Sequence, residues 1–116
     1  MVKYTPYRYS VSLTSDMLRG KETVTLNIPA GGKFLSVGVT PWRAGEVQLW
    51  FLVDPNAERT KNVEVMVIST GFGKVDQDTL DRLQFLGTAV SAEVEEVYHC
   101  FLVHPKNKTL AMRKVG

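Results

Sequence analysis

Three side chains near the carboxyl end of the chain are of the types that bind metals or act as nucleophiles: His99, Cys100 and His104. Two of them lie in the run "EEVYHCFLV", whose β-branched and aromatic residues predict a strand. Successive side chains of a strand point to opposite faces, so His99 and Cys100 cannot bind one ion together. Cys100, between Tyr98 and Leu102, is typical of a small buried hydrophobic residue. We therefore predict no metal site, no catalytic residue and no cofactor.

The stretch "STGFGKVD" shares some features with a phosphate-binding loop. A Walker A loop needs GxxxxGK followed by Ser or Thr, whereas Gly71 and Gly73 are too close together and Val75 replaces the hydroxyl residue. Asp76 would occupy the free N–H groups at the start of a following helix and repel phosphate. We expect a glycine-rich turn between a strand and a helix. Lys74 favours a phosphate or nucleotide site, which stays open as an alternative.

Trp42 and Arg43 lie in the turn "PWRAGE". Trp and Arg are the residues most enriched at binding hot spots, and both can stack on nucleobases. Trp50 lies in "LWFLV" on the strand face opposite to Leu49 and Phe51, so this strand is apolar on both faces. We predict Trp42, Arg43 and Trp50 as binding residues, with Trp50 equally placed for a homodimer face. The alternative for Trp42 is a lid folded over the end of the domain.

The elements that must position these side chains have a period of two. Six runs alternate apolar and polar residues or are rich in β-branched and aromatic residues, and Pro/Gly-rich or polar turns separate them. We predict a mainly β protein, an antiparallel six- to seven-stranded sandwich or small barrel, and leave these two architectures open. The residues predicted to face inward are Tyr7, Tyr9, Val11 and Leu13; Val24, Leu26 and Ile28; Leu35, Val37 and Val39; Val47, Leu49, Phe51 and Val53; Val63, Val65 and Val67; and Val97, His99, Phe101 and Val103.

One segment, "KVDQDTLDRLQFLG", departs from this period. Asp76 is placed as the N-cap of a helix. Val75 and Leu80 are placed for a hydrophobic staple, and Gly87 can end a helix in the left-handed conformation. We predict one short helix at about residues 77–86, packed over one end of the sheet.

The composition suits one compact domain. The chain has 116 residues, of which 44% are hydrophobic, and a formal net charge of +2. We predict a single β-rich domain at 1–104 and a tail at 105–116 that carries four basic residues and no acidic one. A solvated tail is the simpler interpretation, and a nucleic-acid contact is the alternative. One cysteine, no apolar leader and no membrane-length apolar run predict a cytoplasmic protein that does not enter a membrane.

The segments "IPAGGKFLSVGV", "VQLWFLVDP", "ISTG", "FLGTAV" and "VYHCFLV" follow one another between residues 7 and 104. Together they resemble a small family of uncharacterised domains found mainly in bacteriophage genomes. The pattern of that family runs Pro-x-Gly-x-Lys-x-Leu-Ser-Val, then Leu-Trp-x-Leu-Val-Asp-Pro, then Thr-Gly-His. Here Phe72 stands where the family pattern has His. The resemblance implies a phage origin and a compact domain, and it implies no particular activity.

These observations predict a non-enzymatic phage accessory protein in the cytoplasm of the host cell. It would bind a host or phage protein, for example as an antagonist of host defence, through Trp42, Arg43 and Trp50. One alternative is a small-ligand or nucleotide-binding module that uses Lys74, Arg43 and an aromatic residue at a subunit boundary of a homo-oligomer. The other is a small barrel that binds single-stranded nucleic acid with the help of the basic tail. An enzyme is the weakest alternative, because no acid/base or nucleophile pair is apparent.

Overall fold

The structure of the chain is a computed structural model, and it describes residues 1–40, 43, 45–92 and 95–106. Strands dominate these residues, which confirms the predicted mainly β class. In chain order the elements are β1 (Thr5–Ser12), α1 (Ser15–Leu18), β2 (Val24–Pro29), β3 (Lys33–Gly38), β4 (Glu46–Val53), β5 (Thr60–Ser69), α2 (Gln77–Leu80), β6 (Leu83–Ser91) and β7 (Glu96–Val103).

The seven strands form two antiparallel sheets that pack face to face. The three-stranded sheet has the order β1-β4-β3, and the four-stranded sheet has the order β2-β5-β7-β6. Every neighbouring pair of strands is antiparallel. β3 lies against β6 along one side of the domain. Because the strands belong to two separate sheets, the domain is a sandwich, one of the two predicted architectures.

β4 is the central strand of the smaller sheet and supplies the middle of the core. Tyr9 and Phe34 lie on either side of Phe51, with ring centroids 5.7 and 5.6 Å from its own in edge-to-face arrangements that aromatic pairs prefer. Burying a side chain of this size stabilises a fold by about 1.5–3 kcal/mol. All four residues predicted to face inward on this strand are buried: Val47, Leu49, Phe51 and Val53.

The inward faces predicted for β1, β2 and β5 also agree with the structure. Tyr7 shares the inner face of β1 and lies opposite Phe51, but its ring is exposed because β1 is an edge strand. The other predicted residues of these segments belong to the core or pack against it: Tyr9, Val11, Leu13, Val24, Leu26, Ile28, Val63, Val65 and Val67.

β3 differs from the prediction because its pairing with β4 shifts register between Phe34 and Ser36. Phe34 lies opposite Phe51 and packs against the core, whereas Leu35 is the extra residue and is 47% exposed. The prediction that Leu35 faces inward is therefore wrong. A β-bulge sets two residues against one, so the alternation of faces is broken at that point. Val37, beyond the bulge, keeps its predicted inward position.

β7 faces the opposite way from the prediction. Tyr98 and Cys100 belong to the core, and Leu102 packs against it. Because both faces of this strand are apolar, alternation alone does not distinguish them. Its register with β5, which places Cys100 opposite the core residue Val67, decides the matter. The four residues predicted to face inward lie on the outer side of the four-stranded sheet instead: Val97, His99, Phe101 and Val103.

α2 is shorter than the helix predicted at about residues 77–86. It ends at Leu80, and from Leu83 the chain belongs to β6, whose pairing with β7 satisfies its backbone N–H and C=O groups. Leu80 is exposed and Gly87 lies within β6, so the predicted staple and glycine stop do not form. The run "LQFLGTAV" has the composition of a strand, and sheet pairing outweighs its helix propensity.

Each helix begins at a side-chain cap. The side chain of Asp76 accepts a hydrogen bond of 2.8 Å from the backbone N–H of Thr79, which confirms the predicted N-cap and lowers the pKa of Asp76. Thr14 caps α1 in the same way by accepting from the N–H of Met17 at 3.1 Å. α1 has no counterpart among the predicted elements. It is held in place because Met17 is buried in the core.

The connection between β5 and β6 crosses the outer side of the four-stranded sheet. β5 and β6 flank β7 and run parallel to each other, so the chain must pass over β7 between them. Gly73 packs against Ile68, and further on the N–H of His104 donates to the carbonyl of Arg82 at 2.8 Å. Met66 lies beneath this connection and is buried, although it is on the outer side of its sheet.

The predicted tail at 105–116 begins with Pro105 and Lys106, and residues 107–116 lie outside the described part of the chain. The boundary between domain and tail therefore stays a prediction. Among the described residues, no helix is both long enough and apolar enough to cross a membrane.

The bulge in β3 predicts that two adjacent substitutions change the free energy of unfolding by very different amounts. Phe34→Ala should lower the free energy of unfolding by about 2–4 kcal/mol, because it removes a ring packed against Phe51. Leu35→Ala should change it by less than about 0.5 kcal/mol, because Leu35 is about half exposed and lies outside the core. Urea unfolding followed by circular dichroism measures both. A greater loss from Leu35→Ala would contradict the bulged register.

The close packing of the β5–β6 connection predicts that a side chain at position 73 destabilises the domain. A Cβ there would overlap Cγ2 of Ile68 and the carbonyl oxygen of Leu18, so Gly73→Ala should cost about 1–3 kcal/mol in the free energy of unfolding. The matched control is Gly71→Ala, where φ is +76° but a Cβ would meet nothing within 4 Å. Backbone strain alone should cost about 1 kcal/mol there. If thermal unfolding showed Gly73→Ala to be the milder change, the packing described for this connection would be refuted.

Candidate functional site

Cys100 is part of the hydrophobic core. Its side chain is fully buried opposite Val67, and burial raises the pKa of its thiol to about 12. A thiol with this pKa is protonated at neutral pH, and only the thiolate is a good nucleophile. The prediction that Cys100 is a small buried hydrophobic residue is confirmed.

His99 lies on the outer side of the four-stranded sheet, on the face opposite to Cys100, as strand alternation predicts. Its Nε2 is 2.6 Å from Oγ1 of Thr70, and its Nδ1 is 3.1 Å from Oγ1 of Thr88. Both ring nitrogens therefore have hydroxyl partners on neighbouring elements. A histidine satisfied in this way has a structural role between β5 and β6 rather than a free nitrogen for a metal ion.

Around His99 the outer side of β6 and β7 is apolar. Phe85 and Phe101 lie directly opposite each other with ring centroids 5.6 Å apart, and Val90 lies opposite Val97. Phe85 is 59% exposed and Val90 is 63% exposed. Together these four residues form the outer patch: Phe85, Val90, Val97 and Phe101.

The outer patch is uncharged. Between its two pairs of residues lies one further pair across the strands, Thr88 and His99, whose side chains are hydrogen-bonded to each other. An exposed apolar surface of this kind on a folded domain marks a site of interaction. We therefore take the outer patch as the candidate functional site.

The residues predicted for binding do not converge on the outer patch. Trp42 lies outside the described residues. Arg43 is exposed, and its Nη1 lies 3.4 Å from Oε1 of Glu46. Lys74 is exposed in the β5–β6 connection, where its backbone N–H donates to the carbonyl of Arg19 at 3.1 Å. Arg43 and Lys74 are thus held by different parts of the chain, and the contacts described here do not join them in one site.

Trp50 lies on the outer side of the three-stranded sheet, opposite to the core residues of β4, as predicted. It is partly exposed. Arg8 on β1 and Ser36 on β3 are its direct neighbours across the strands, and its six-membered ring lies beside Gly38.

A groove of about 480 Å³ lies between α2, the segment that follows α1, and the outer side of β5 and β7. Its main charged side chains are engaged within the chain. Glu64 accepts a hydrogen bond of 2.8 Å from Thr25. Arg82 donates to the carbonyl oxygen of His104 at 3.2 Å, and its Nη2 lies 3.5 Å from Oδ2 of Asp78. This groove therefore follows from the packing of the β5–β6 connection.

Sequence reasoning missed the outer patch as a site. It assigned Phe85 to a helix and Phe101 to the core. The run "LQFLGTAV" has the composition of a strand and could have indicated β6. A register shift between Phe85 and Gly87, however, breaks its period of two, so the pattern does not reveal which residues face outward. The exposure of Val90 depends on how the β5–β6 connection crosses the sheet, which no local pattern reveals.

The family model described as "Domain of unknown function (DUF7352)" matches residues 7–110, nearly the whole chain. No curated protein and no solved structure matches the chain.

The burial of Cys100 predicts that its thiol reacts slowly in thiol–disulfide exchange. At about pH 8 the native protein should react with a disulfide reagent such as DTNB at least about 100-fold more slowly than the same protein in guanidinium chloride. The reason is that a thiol with a pKa of about 12 is almost entirely protonated at that pH, and the core also excludes the reagent. Thiol release followed by absorbance measures both rates. Equal rates in the two solutions would contradict the buried position.

Proposed function

The chain belongs to a family of domains of unknown function, and we propose that it is a non-enzymatic binding module whose outer patch docks a protein partner. The observation that carries the proposal is the exposure of Phe85 and Val90 on one strand face. These side chains lie on the opposite side of the sheet from the core, so they add little to the stability of the domain. A partner that covers them would gain about 25 cal/mol for each Å² of apolar surface removed from water.

The shape of the outer patch favours a protein over a small molecule. Sites for small molecules are concave and enclose most of the ligand. The outer patch is instead the exposed face of two adjacent strands, β6 and β7. The centre of a protein interface is enriched in aromatic residues, and the Phe85–Phe101 pair supplies two aromatic rings on this face.

The strands that carry the outer patch are held firmly. β7 is paired on both sides, by β5 and by β6. The hydrogen bonds of His99 to Thr70 and Thr88 add links from β7 to both neighbouring elements. A surface that is already ordered loses little conformational entropy when a partner binds.

The two reactive side chain types support binding rather than catalysis. The thiol of Cys100 is buried and protonated, so it is a poor nucleophile. Both ring nitrogens of His99 are engaged with threonine hydroxyls.

The partner that we propose is a protein of a host bacterium or of a phage. The chain would then act as a phage accessory protein in the cytoplasm of the infected cell and, where the partner is a defence factor, as its antagonist. Support for this finer proposal comes from the resemblance of the ordered segments to phage-encoded domains. A second copy of the chain is another protein that fits, because an uncharged patch does not repel itself.

Val90→Glu tests the docking role. A carboxylate within a desolvated contact should weaken partner binding about 30-fold or more. The stability of the free domain should change by less than about 0.5 kcal/mol, because Val90 is 63% exposed. Leu35→Glu is the matched control, since it places the same charge on an exposed apolar residue of the other sheet.

The partner is first captured with a photo-crosslinking amino acid at position 85, in tagged protein expressed in bacteria with and without phage infection. A product in uninfected cells indicates a host partner, one specific to infection indicates a phage partner, and a product of twice the mass of the chain indicates a homo-oligomer. Calorimetric titration of the purified partner then compares wild type, Val90→Glu and Leu35→Glu. Unchanged affinity in Val90→Glu, or equal losses in both variants, would refute docking at the outer patch.

A further inference from the structure

We propose that the outer side of the three-stranded sheet binds single-stranded nucleic acid, with a base stacked on Trp50 and phosphate groups beside Arg8 and Lys33. This inference goes beyond the docking role of the outer patch. It concerns the other sheet, a different class of ligand and a different set of contacts.

Trp50 lies at the middle of this surface because β4 is the central strand. Arg8 is directly opposite it on β1, and Ser36 is directly opposite it on β3. A Cβ on Gly38 would lie 3.3 Å from Cζ3 of Trp50, so the indole ring leans across the neighbouring strand at a position without a side chain. The residue is partly exposed, and an unpaired base can stack on the part of an aromatic ring that solvent reaches.

The next position along β4 extends the surface. Leu52 follows Trp50 on the same face, about 7 Å further along the strand. Lys33 lies directly opposite Leu52 on β3, and Tyr4, just before β1, is 55% exposed. These three residues and Gly31 line a cavity of about 270 Å³. The surface thus offers a second aromatic ring and a second cation at the spacing of successive outward positions of a strand.

The charges of this surface suit phosphate. Arg8 and Lys33 are exposed, and neither has an ion-pair partner among the described residues. Glu46, the acidic residue of β4, lies 3.4 Å from the guanidinium of Arg43. Asp54, which follows β4, accepts a hydrogen bond of 2.9 Å from the N–H of Asn56. The nearby carboxylates are therefore engaged, while the cations beside Trp50 and Leu52 are free to contact phosphate.

The combination of ring and cation distinguishes this surface from the outer patch. The outer patch has aromatic rings without charge, whereas this face places Arg8 beside Trp50 and Lys33 near Tyr4. Sequence-tolerant binding of single strands uses this combination, a base on each aromatic ring and a backbone that follows positive charge. We infer a single strand rather than a duplex because paired bases have no free face for Trp50.

The test uses the full chain and a fluorescein-labelled oligothymidylate of about twelve nucleotides, with fluorescence anisotropy at about 50 and 200 mM salt. Trp50→Ala should weaken binding about 5- to 150-fold, the range that alanine substitution gives for base–aromatic stacking. Trp50→Phe, which keeps a ring, should retain most of the affinity and guards against a variant that fails to fold. Circular dichroism confirms folding for each variant.

The phosphate contacts are tested by the double variant Arg8→Glu/Lys33→Glu. It should weaken binding about tenfold or more and reduce the slope of log affinity against log salt by about 1.4, the value for two lost phosphate contacts on a single strand. Lys21→Glu/Lys61→Glu is the matched control, because it changes the net charge equally at exposed positions on other surfaces. The control and Val90→Glu should bind the oligonucleotide like wild type.

Four results would overturn the proposal. They are wild-type affinity in Trp50→Ala, equal losses in the two double charge variants, and no binding at low salt with protein at up to about 100 µM. The fourth is loss of all binding on removal of residues 105–116 while Arg8→Glu/Lys33→Glu still binds, because this would assign the contact to the basic tail. Since Val90→Glu tests a different surface, failure here and failure of the docking proposal are distinguishable.

Discussion

Complete burial of the inner face of β4 is the constraint on which the rest of the sandwich depends. Leu49 and Phe51 lie between the two sheets, and the rings of Tyr9 and Phe34 pack edge-to-face on Phe51 from both neighbouring strands. A side chain period of two then forces Trp50 to the opposite face. The same constraint that builds the core therefore places a large aromatic ring on the outside of the smaller sheet.

In the larger sheet, β7 and the second half of β5 also carry apolar residues on the outer face. The β5–β6 connection covers part of the outer face, and Met66 and Ile68 lie beneath it. It leaves Phe85 and Val90, on the edge strand β6, in water. The path of the β5–β6 connection thus decides which outward residues are buried within the domain and which remain exposed.

The two outer surfaces consequently differ in chemistry. The face of the four-stranded sheet is neutral, with a satisfied histidine between pairs of apolar residues. The face of the three-stranded sheet sets Arg8 and Lys33 beside aromatic rings. An exposed apolar surface suits a protein ligand that excludes water from the contact. Cations beside aromatic rings suit a single-stranded nucleic acid, whose phosphates and bases they can contact. The two proposed binding roles therefore rest on surfaces of different chemistry on opposite sides of one small domain.

The sequence by itself determined the strand class, the inward faces of β2, β4 and β5, the cap at Asp76 and the outward position of Trp50. These features follow from alternation and from contacts within a few residues, which are local properties of the chain. The structure alone decided that Leu35 leaves the core, that residues from Leu83 onward form a strand, and that β7 turns Cys100 rather than His99 inward. Bulges break the alternation of faces in β3 and β6. Because β7 is apolar on both faces, its orientation depends on its pairing with β5, which lies much earlier in the chain. The exposure of Phe85 and Val90 is likewise a tertiary outcome, because it depends on where a distant connection crosses the sheet.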